Sequence, residues 1–482
     1  MKIVILFINI TCLFSVISQA QWLPDVRLTN NDSLSNTSPN NAWCITANSP
    51  VLHVVWHDRR NGNDEIYYKR STNDGVSWGT DIRLTNNSGG SYSPSIAVSG
   101  LVTHVVWYDY SDGNFEIYHK RSTNGGINWG TDTRMTNNIY NSLYPSMSVS
   151  GSVVHVVWQD NRNINWEIYY KRSTDGGISW GTDTRLTNNI YESRFSSVAV
   201  SGLVVHVVWQ DFRDGSWEIY YKRSTDGGES WPPADTRLTY NPAWSWSPSV
   251  AVTGSVVHVV WQDNRAGNWE IYHKRSTNGG VNWGADTRLT NNSAISSYAS
   301  VAISGPFVHV VWQDERDGNT EIYYKRSTDE GVSWPVTDTR LTSNPDLSQL
   351  PSVATSGSFV HTVWYDSRDG NTEIYYKRNP TGNTVGMKSI NSEIPNEFSL
   401  AQNYPNPFNP STTIQFAIPK TSLVKLNVYD VLGREAESLV DEHLNPGIYE
   451  VEWNGSNYTS GVYYYRITAD NYLETRKMIL LK

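Results

Sequence analysis

From residue 51 to residue 366 one pattern of apolar and polar positions returns seven times. Its most apolar element is the string HVVW, ending at Trp56, Trp107, Trp158, Trp209, Trp261 and Trp312, with HTVW ending at Trp364, so the period is 51 or 52 residues. The string EIY keeps step from Glu65, Glu116, Glu167, Glu218, Glu270, Glu321 and Glu373. So does R(L/M)T, from Arg27, Arg83, Arg134, Arg185, Arg237, Arg288 and Arg340. Within the unit 145–187, PSMSVS alternates and ends in a turn at Ser150-Gly151, VVHVVWQD is almost wholly apolar, WEIYYKRS is aromatic, and DTRLT follows a polar octamer. β-branched and aromatic residues at period two, divided by Gly, Asn and Asp turns, predict four short strands and no helix.

A four-stranded unit recurring every ~40–50 residues is the pattern of a β-propeller blade. The two ends of the repeat are offset. DVRLT at Asp25–Thr29 is a fourth strand with no blade before it, whereas the last unit has three strands and then loses the pattern. The N-terminal strand is therefore expected to complete the seventh blade and close the ring, which removes exposed sheet edges. The fold expectation is all-β: a seven-bladed propeller over 21–380, a Gly/Asn/Ser/Thr-rich linker over 381–397, and a small Ig-like β-sandwich over 398–482.

The N-terminus departs from this pattern. Lys2 precedes the apolar run IVILFINITCLFSVI, and Ser18-Gln19-Ala20 supplies small residues at its end. Residues 1–20 read as a cleaved secretory signal, too short for a membrane span and without a stop-transfer segment. Cleavage removes Cys12 and leaves Cys44 alone, so no intrachain disulfide is expected. A lipid anchor on Cys12 is the alternative, disfavoured by Thr11 before it. The chain of 482 residues carries a net charge of -9 with no basic block, which argues against a nucleic-acid partner. Its 21 Trp and 29 Tyr suit many short strands with aromatic packing.

The octamer has six copies: Ser71, Asn73, Gly75, Trp78; Ser122, Asn124, Gly126, Trp129; Ser173, Asp175, Gly177, Trp180; Ser224, Asp226, Gly228, Trp231; Ser276, Asn278, Gly280, Trp283; and Ser327, Asp329, Gly331, Trp334 at its four key positions. A seventh is lost near Asn379–Asn383. The Asp or Asn can accept N–H groups of its own turn, the Gly allows positive φ, and the Trp can plug the space between elements. The pattern S-x-D-x-G-x-x-W resembles the Asp-box (BNR) repeat of sialidases, xyloglucan-degrading enzymes and sortilin-like receptors. That resemblance implies a turn between a blade's third and fourth strands, and a fold element shared across functions.

Sialidases of this type are six-bladed, use an arginine triad with a Tyr–Glu pair and an Asp, and usually carry an F/Y-R-I-P stretch. Here there are seven units and no R-I-P triplet. Arg60, Arg162, Arg213, Arg265, Arg316 and Arg368 each follow an Asp by two residues (Asp58, Asp160, Asp211, Asp263, Asp314, Asp366), and Ser111 follows Asp109. Catalysis needs different groups in different environments, so a pair repeated around a ring reads as structural. The mid-strand histidines, His53, His104, His155, His206, His258, His309 and His361, read as buried and hydrogen-bonded to a neighbouring strand. The stretch Asp314-Glu315-Arg316-Asp317-Gly318 lacks the alternation of a Ca²⁺ loop. No metal and no cofactor are expected.

Function is expected where the repeat breaks its own symmetry, in the connectors NNSGGSYS, NNIYNSLY, NNIYESRF, YNPAWSWS, NNSAISSY and SNPDLSQL, on the face opposite the octamers. Tyr140, Tyr144, Tyr191, Phe195, Trp244, Trp246 and Tyr298 are the candidate ligand-binding residues, with Trp166, Trp217 and Trp269 in neighbouring turns. Flat rings beside amides and hydroxyls suit a sugar or a peptide; packing of the loops on the blades is the competing explanation. The leading expectation is a monomeric extracellular binding module for a glycan or protein ligand. A sialidase-like or other propeller glycoside hydrolase is the alternative, with Asp346 and Glu192 as the non-repeated carboxylates, and a structural or adhesive surface protein is the third.

The tail carries Tyr404–Phe408, Leu426 to Asp430 with Gly433, Trp453, Ser460-Gly461-Val462-Tyr463 and the basic-apolar end Lys477–Lys482. In this order these strings closely resemble the type A sorting domain of type IX secretion. The resemblance implies the type IX machinery as a partner, passage across the outer membrane, and an extracellular or cell-surface destination.

Overall fold

The computed structural model describes residues 22–38, 43–380, 388–391, 395–444, 446–455 and 458–481. The expected signal segment, 1–20, and much of the expected linker lie outside them. The chain divides into two compact units, Trp22–Asn383 and the C-terminal domain from Thr384.

The first unit is a ring of seven antiparallel sheets. Blade four serves for all: its strands are Ser193–Ser201, Val204–Asp211, Glu218–Ser224 and Thr236–Arg237, paired in that order. The second strand is apolar almost throughout because both of its faces are buried. Val205, Val207 and Trp209 pack against blade three with Val157, Ile168 and Tyr170. Val208, with Ile219 and Tyr221, packs against blade five. Period-two geometry thus sends alternate residues into successive inter-blade cores. All seven HVVW/HTVW tryptophans are fully buried, and each donates its indole N–H to the Asp two residues on, as Trp209 does to Asp211 at 2.9 Å.

Val26–Arg27 pairs with the third strand of blade seven, Val26 opposite Tyr376 and Arg27 opposite Tyr375. The closure extends beyond these ladder bonds. Arg27 pairs with Glu373, and Asp25 receives Arg368 and Lys377. Trp22 stands edge-on to Tyr324 of blade six, centroids 5.0 Å apart. The octamer tryptophans of other blades meet the equivalent ring in the same way: Trp231 lies 4.9 Å from Tyr170, and Trp78 lies 4.9 Å from Tyr376. Trp22 therefore supplies the tryptophan that blade seven's own sequence lacks near Asn379.

The C-terminal domain has two four-stranded antiparallel sheets. One orders Lys388–Asn391, Gly447–Asn454, Ser411–Ile418 and Ser399–Leu400; the other orders Glu435–Leu444, Ser422–Tyr429, Gly461–Ala469 and Tyr472–Leu480. In Ser422–Tyr429 the alternate residues Val424, Leu426 and Val428 enter the core and join Ile414, Phe416, Trp453 and Tyr465.

Candidate functional site

The repeated polar residues lock each blade internally. In blade four Asp211 accepts Ser193 Oγ at 2.8 Å and the Arg213 backbone N–H, Nε and Nη2 at 3.0, 2.8 and 2.6 Å. Arg213 Nη1 continues to Asp235 at 2.6 Å, and the guanidinium lies over the Tyr220 ring. In the matching blade-five pair, burial opposes ionisation of Asp263, yet the Arg265 hydrogen bonds prevail and hold its carboxyl below the usual range. In blade two Ser111 keeps its backbone and hydroxyl bonds to Asp109. These groups are consumed by the fold.

The histidines are likewise internal. His206 Nδ1 lies 2.8 Å from the Tyr221 hydroxyl on the adjacent strand, and burial, with Arg223 nearby, pushes its pKa down to about 4. Five blades carry such a His–Tyr pair. Blades two and five carry His104–His119 at 3.1 Å and His258–His273 at 2.9 Å instead. Among the described residues no three His, Cys, Asp or Glu side chains form a metal-holding group.

Each octamer caps the preceding blade over these pairs. In blade three Ser173 Oγ accepts the Gly177 N–H at 2.8 Å and donates to Asp175, which accepts the Ser179 N–H at 2.9 Å. In blade four Gly228 holds φ of 79°, and a Cβ on it would lie 1.9 Å from the Tyr170 hydroxyl oxygen. Only glycine meets both requirements. The octamers bond to the turns between first and second strands, as Gly227 N–H does to Leu203 O, at the end of the blades opposite the connectors.

At the connector end, the first strands of blades two to seven each carry a bulge. Its residues, Ser93, Tyr144, Phe195, Ser247, Tyr298 and Leu350, hold φ between 47° and 54°. A non-glycine residue adopts this conformation at some cost, offset here by the preceding blade. The N–H groups of Phe195, Ser247 and Tyr298 donate to Oε1 of Gln159, Gln210 and Gln262 at 3.1, 3.0 and 2.9 Å. Such bulges re-aim side chains, and three of them re-aim aromatic rings.

The result is one cavity of about 290 Å³ lined by Tyr144, Arg194, Phe195, Gln210, Trp217, Trp246, Ser247 and Tyr298, drawn from blades three to six. Tyr144 and Phe195 face each other at 5.1 Å, with Tyr108 edge-on to Tyr144 at 5.4 Å. Burial, and after it the nearby Tyr144, raises the Tyr298 phenol, so it stays a neutral hydroxyl. Four of the seven expected aromatics therefore converge. The other three are exposed: Trp244 continues the wall by stacking on Trp246 at 5.4 Å, Tyr191 meets the edge of Phe212, and Tyr140 faces solvent. Sequence reasoning passed over Arg194, Gln210 and Tyr108. The variable residue after HVVW, Gln in four units but Tyr108 in the second, is the signal that marks two of them.

No carboxylate lines the cavity. Glu192 is paired with Arg194 at 2.8 Å. Asp346 is exposed on the connector into blade seven, with its N–H bonded to Asn344 and its carbonyl to Asn319. Glycoside hydrolysis in its usual form uses two carboxyl groups flanking one bond, whereas Glu192 and Asp346 stand on connectors into different blades, four and seven.

Comparison with known proteins separates the two units. Residues 402–481 match the family described as secretion system C-terminal sorting domain. The tail directs the protein into type IX secretion. Its destination is the cell surface or extracellular space, and no helix among the described residues is long and apolar enough to cross a membrane. No curated protein matches the sequence. Among solved structures, the chain is similar to the polysaccharide lyase Uly1, at TM-score 0.51 and 11% identity over 74% of this chain and 99% of that one. It is also similar to a protein of unknown function from Dyadobacter fermentans (TM-score 0.49, 13% identity, 74% and 98% covered) and to Trypanosoma rangeli sialidase (0.42, 12%, 83% and 85%). At these identities the Uly1 likeness is one of fold, in line with the all-β ring.

Proposed function

We propose that the secreted propeller is a binding module that holds a carbohydrate in the connector-face cavity, with the octamers acting as Asp-box turns. The observation that carries this reading is the convergence of Tyr144, Phe195, Trp246 and Tyr298 from four blades, at the one end of the ring where the repeat loses its symmetry. Aromatic faces stack on the apolar faces of pyranose rings, while Gln210 and the phenols offer directional hydrogen bonds. The lining lacks the carboxylate pair of ordinary glycoside hydrolysis, which supports binding over hydrolysis.

The test is a screen of the purified protein against a panel of glycans and polysaccharides, run beside chromogenic glycosides. Saturable glycan binding that is lost in Trp246→Ala and Tyr298→Ala, without turnover, is expected. Turnover abolished by Glu192→Gln or Asp346→Asn would overturn this reading in favour of a hydrolase.

A further inference from the structure

We propose, resting on the carbohydrate reading above, that this cavity is a subsite for an anionic sugar, a ring bearing a carboxylate or sulfate. Arg194 is its positioning cation and Glu192 the built-in competitor for that cation.

The connectors into blades three and four, NNIYNSLY and NNIYESRF, are twins that differ at three positions. Two of the three changes together create a charged pair: Glu192 stands where its twin has Asn141, and Arg194 where it has Leu143. In the twin, Asn141 serves the loop alone, accepting the Phe115 N–H at 3.1 Å and donating its own N–H to Asn161 at 2.8 Å. In blade four Glu192 turns instead to Arg194 Nη2 at 2.8 Å.

Arg194 also lines the cavity, and its guanidinium lies 5.5 Å over the Trp166 ring, which fixes its plane. Its Nε is buried with no acceptor among the described residues, and the same holds for the indole N–H of Trp246 in the same lining. The Arg194 guanidinium is itself partly exposed, and beside aromatic walls with no carboxylate in the lining it suits a ligand that brings both an anion and an apolar ring face. A planar guanidinium suits a carboxylate or sulfate best. Glu192 is 40% exposed, so its pair with Arg194 can be exchanged for a ligand anion. While in place it lowers the affinity for that anion.

The full-length protein is titrated with polygalacturonate, dextran sulfate and neutral dextran by calorimetry. At least one anionic polymer is expected to bind about tenfold more tightly than dextran, and Arg194→Gln to erase that preference while Arg194→Lys keeps part of it. Glu192→Gln is expected to tighten anionic binding by about threefold and leave dextran unchanged. Which polymer responds distinguishes carboxylate from sulfate. Equal binding of all three polymers, or unaltered selectivity in Arg194→Gln or Glu192→Gln, overturns the inference and leaves the carbohydrate reading standing. Binding of none of them in a screen that also finds no other glycan overturns both.

Discussion

Trp22 closes edge-on against Tyr324, ring centroids 5.0 Å apart and planes at 79°. It fills the place that an octamer tryptophan fills in every other blade. The ring is thus fastened by a residue more than three hundred positions from its partner. Truncation should be felt as in a core: Trp22→Ala is expected to cost about 2 kcal/mol in urea unfolding of the propeller. The exposed Trp244→Ala should cost less than about 0.5 kcal/mol. Equal effects would contradict the closure role.

Gly228 and Gly202 both hold positive φ, but only Gly228 faces an obstacle, the Tyr170 hydroxyl. Gly202→Ala should lose about 1 kcal/mol from backbone strain. Gly228→Ala should lose about 3 kcal/mol, because overpacking adds to that strain. Tyr170→Phe in the Gly228→Ala background should recover part of the loss, which a double-mutant cycle measures.

Removing Asp211 takes the acceptor from the Trp209 indole N–H and the Ser193 hydroxyl at once and leaves the Arg213 guanidinium with Asp235 alone. Asp211→Ala is therefore expected to destabilise by about 3–5 kcal/mol. Arg213→Ser should cost nearer 1 kcal/mol, since blade two already carries serine there with its Asp bonds intact. A denaturation series ranks the two.

The buried histidines set an acid limit. Burial, aided by nearby arginines, pushes His53, His155 and His206 down to about 4 and His258 and His361 to about 3. A folded pKa below the unfolded one means the unfolded chain takes up protons first. Stability is therefore full above about 6.5, the ordinary histidine value, and falls as pH drops from there towards 4. The paired aspartates act in the same direction at still lower pH. Urea midpoints measured from pH 7.5 to 4.5 should fall steadily, and a flat profile would exclude the mechanism.

The fold was legible because its signals are local and repeated. HVVW and EIY mark strands by composition, and the stranded DVRLT at one end with three strands at the other announces closure. The repeat also revealed which polar residues are structural, since Asp-x-Arg occurs in nearly every unit. The candidate site was legible only in outline. Tyr140 and Tyr144 lie four residues apart in one connector and look alike in sequence, yet one faces solvent and the other enters the cavity. The difference is the bulge, which gives Tyr144 positive φ. In the next blade the same conformation, at Phe195, is held by Gln159, thirty-six residues before it.

The sequence by itself determined the strand pattern, the blade count, the closing strand and the sorting tail, because each depends on residues close together or on simple repetition. The tertiary structure alone decided that Trp22 replaces the missing octamer tryptophan, that rings from four blades share one cavity, and that Arg194 stands there beside Glu192. The first two are relations between blades, and the third places a local pair at a cavity that several blades form together. A period of 51 or 52 residues fixes which residues are equivalent, but not how far each side chain reaches once the sheets have turned towards a common axis.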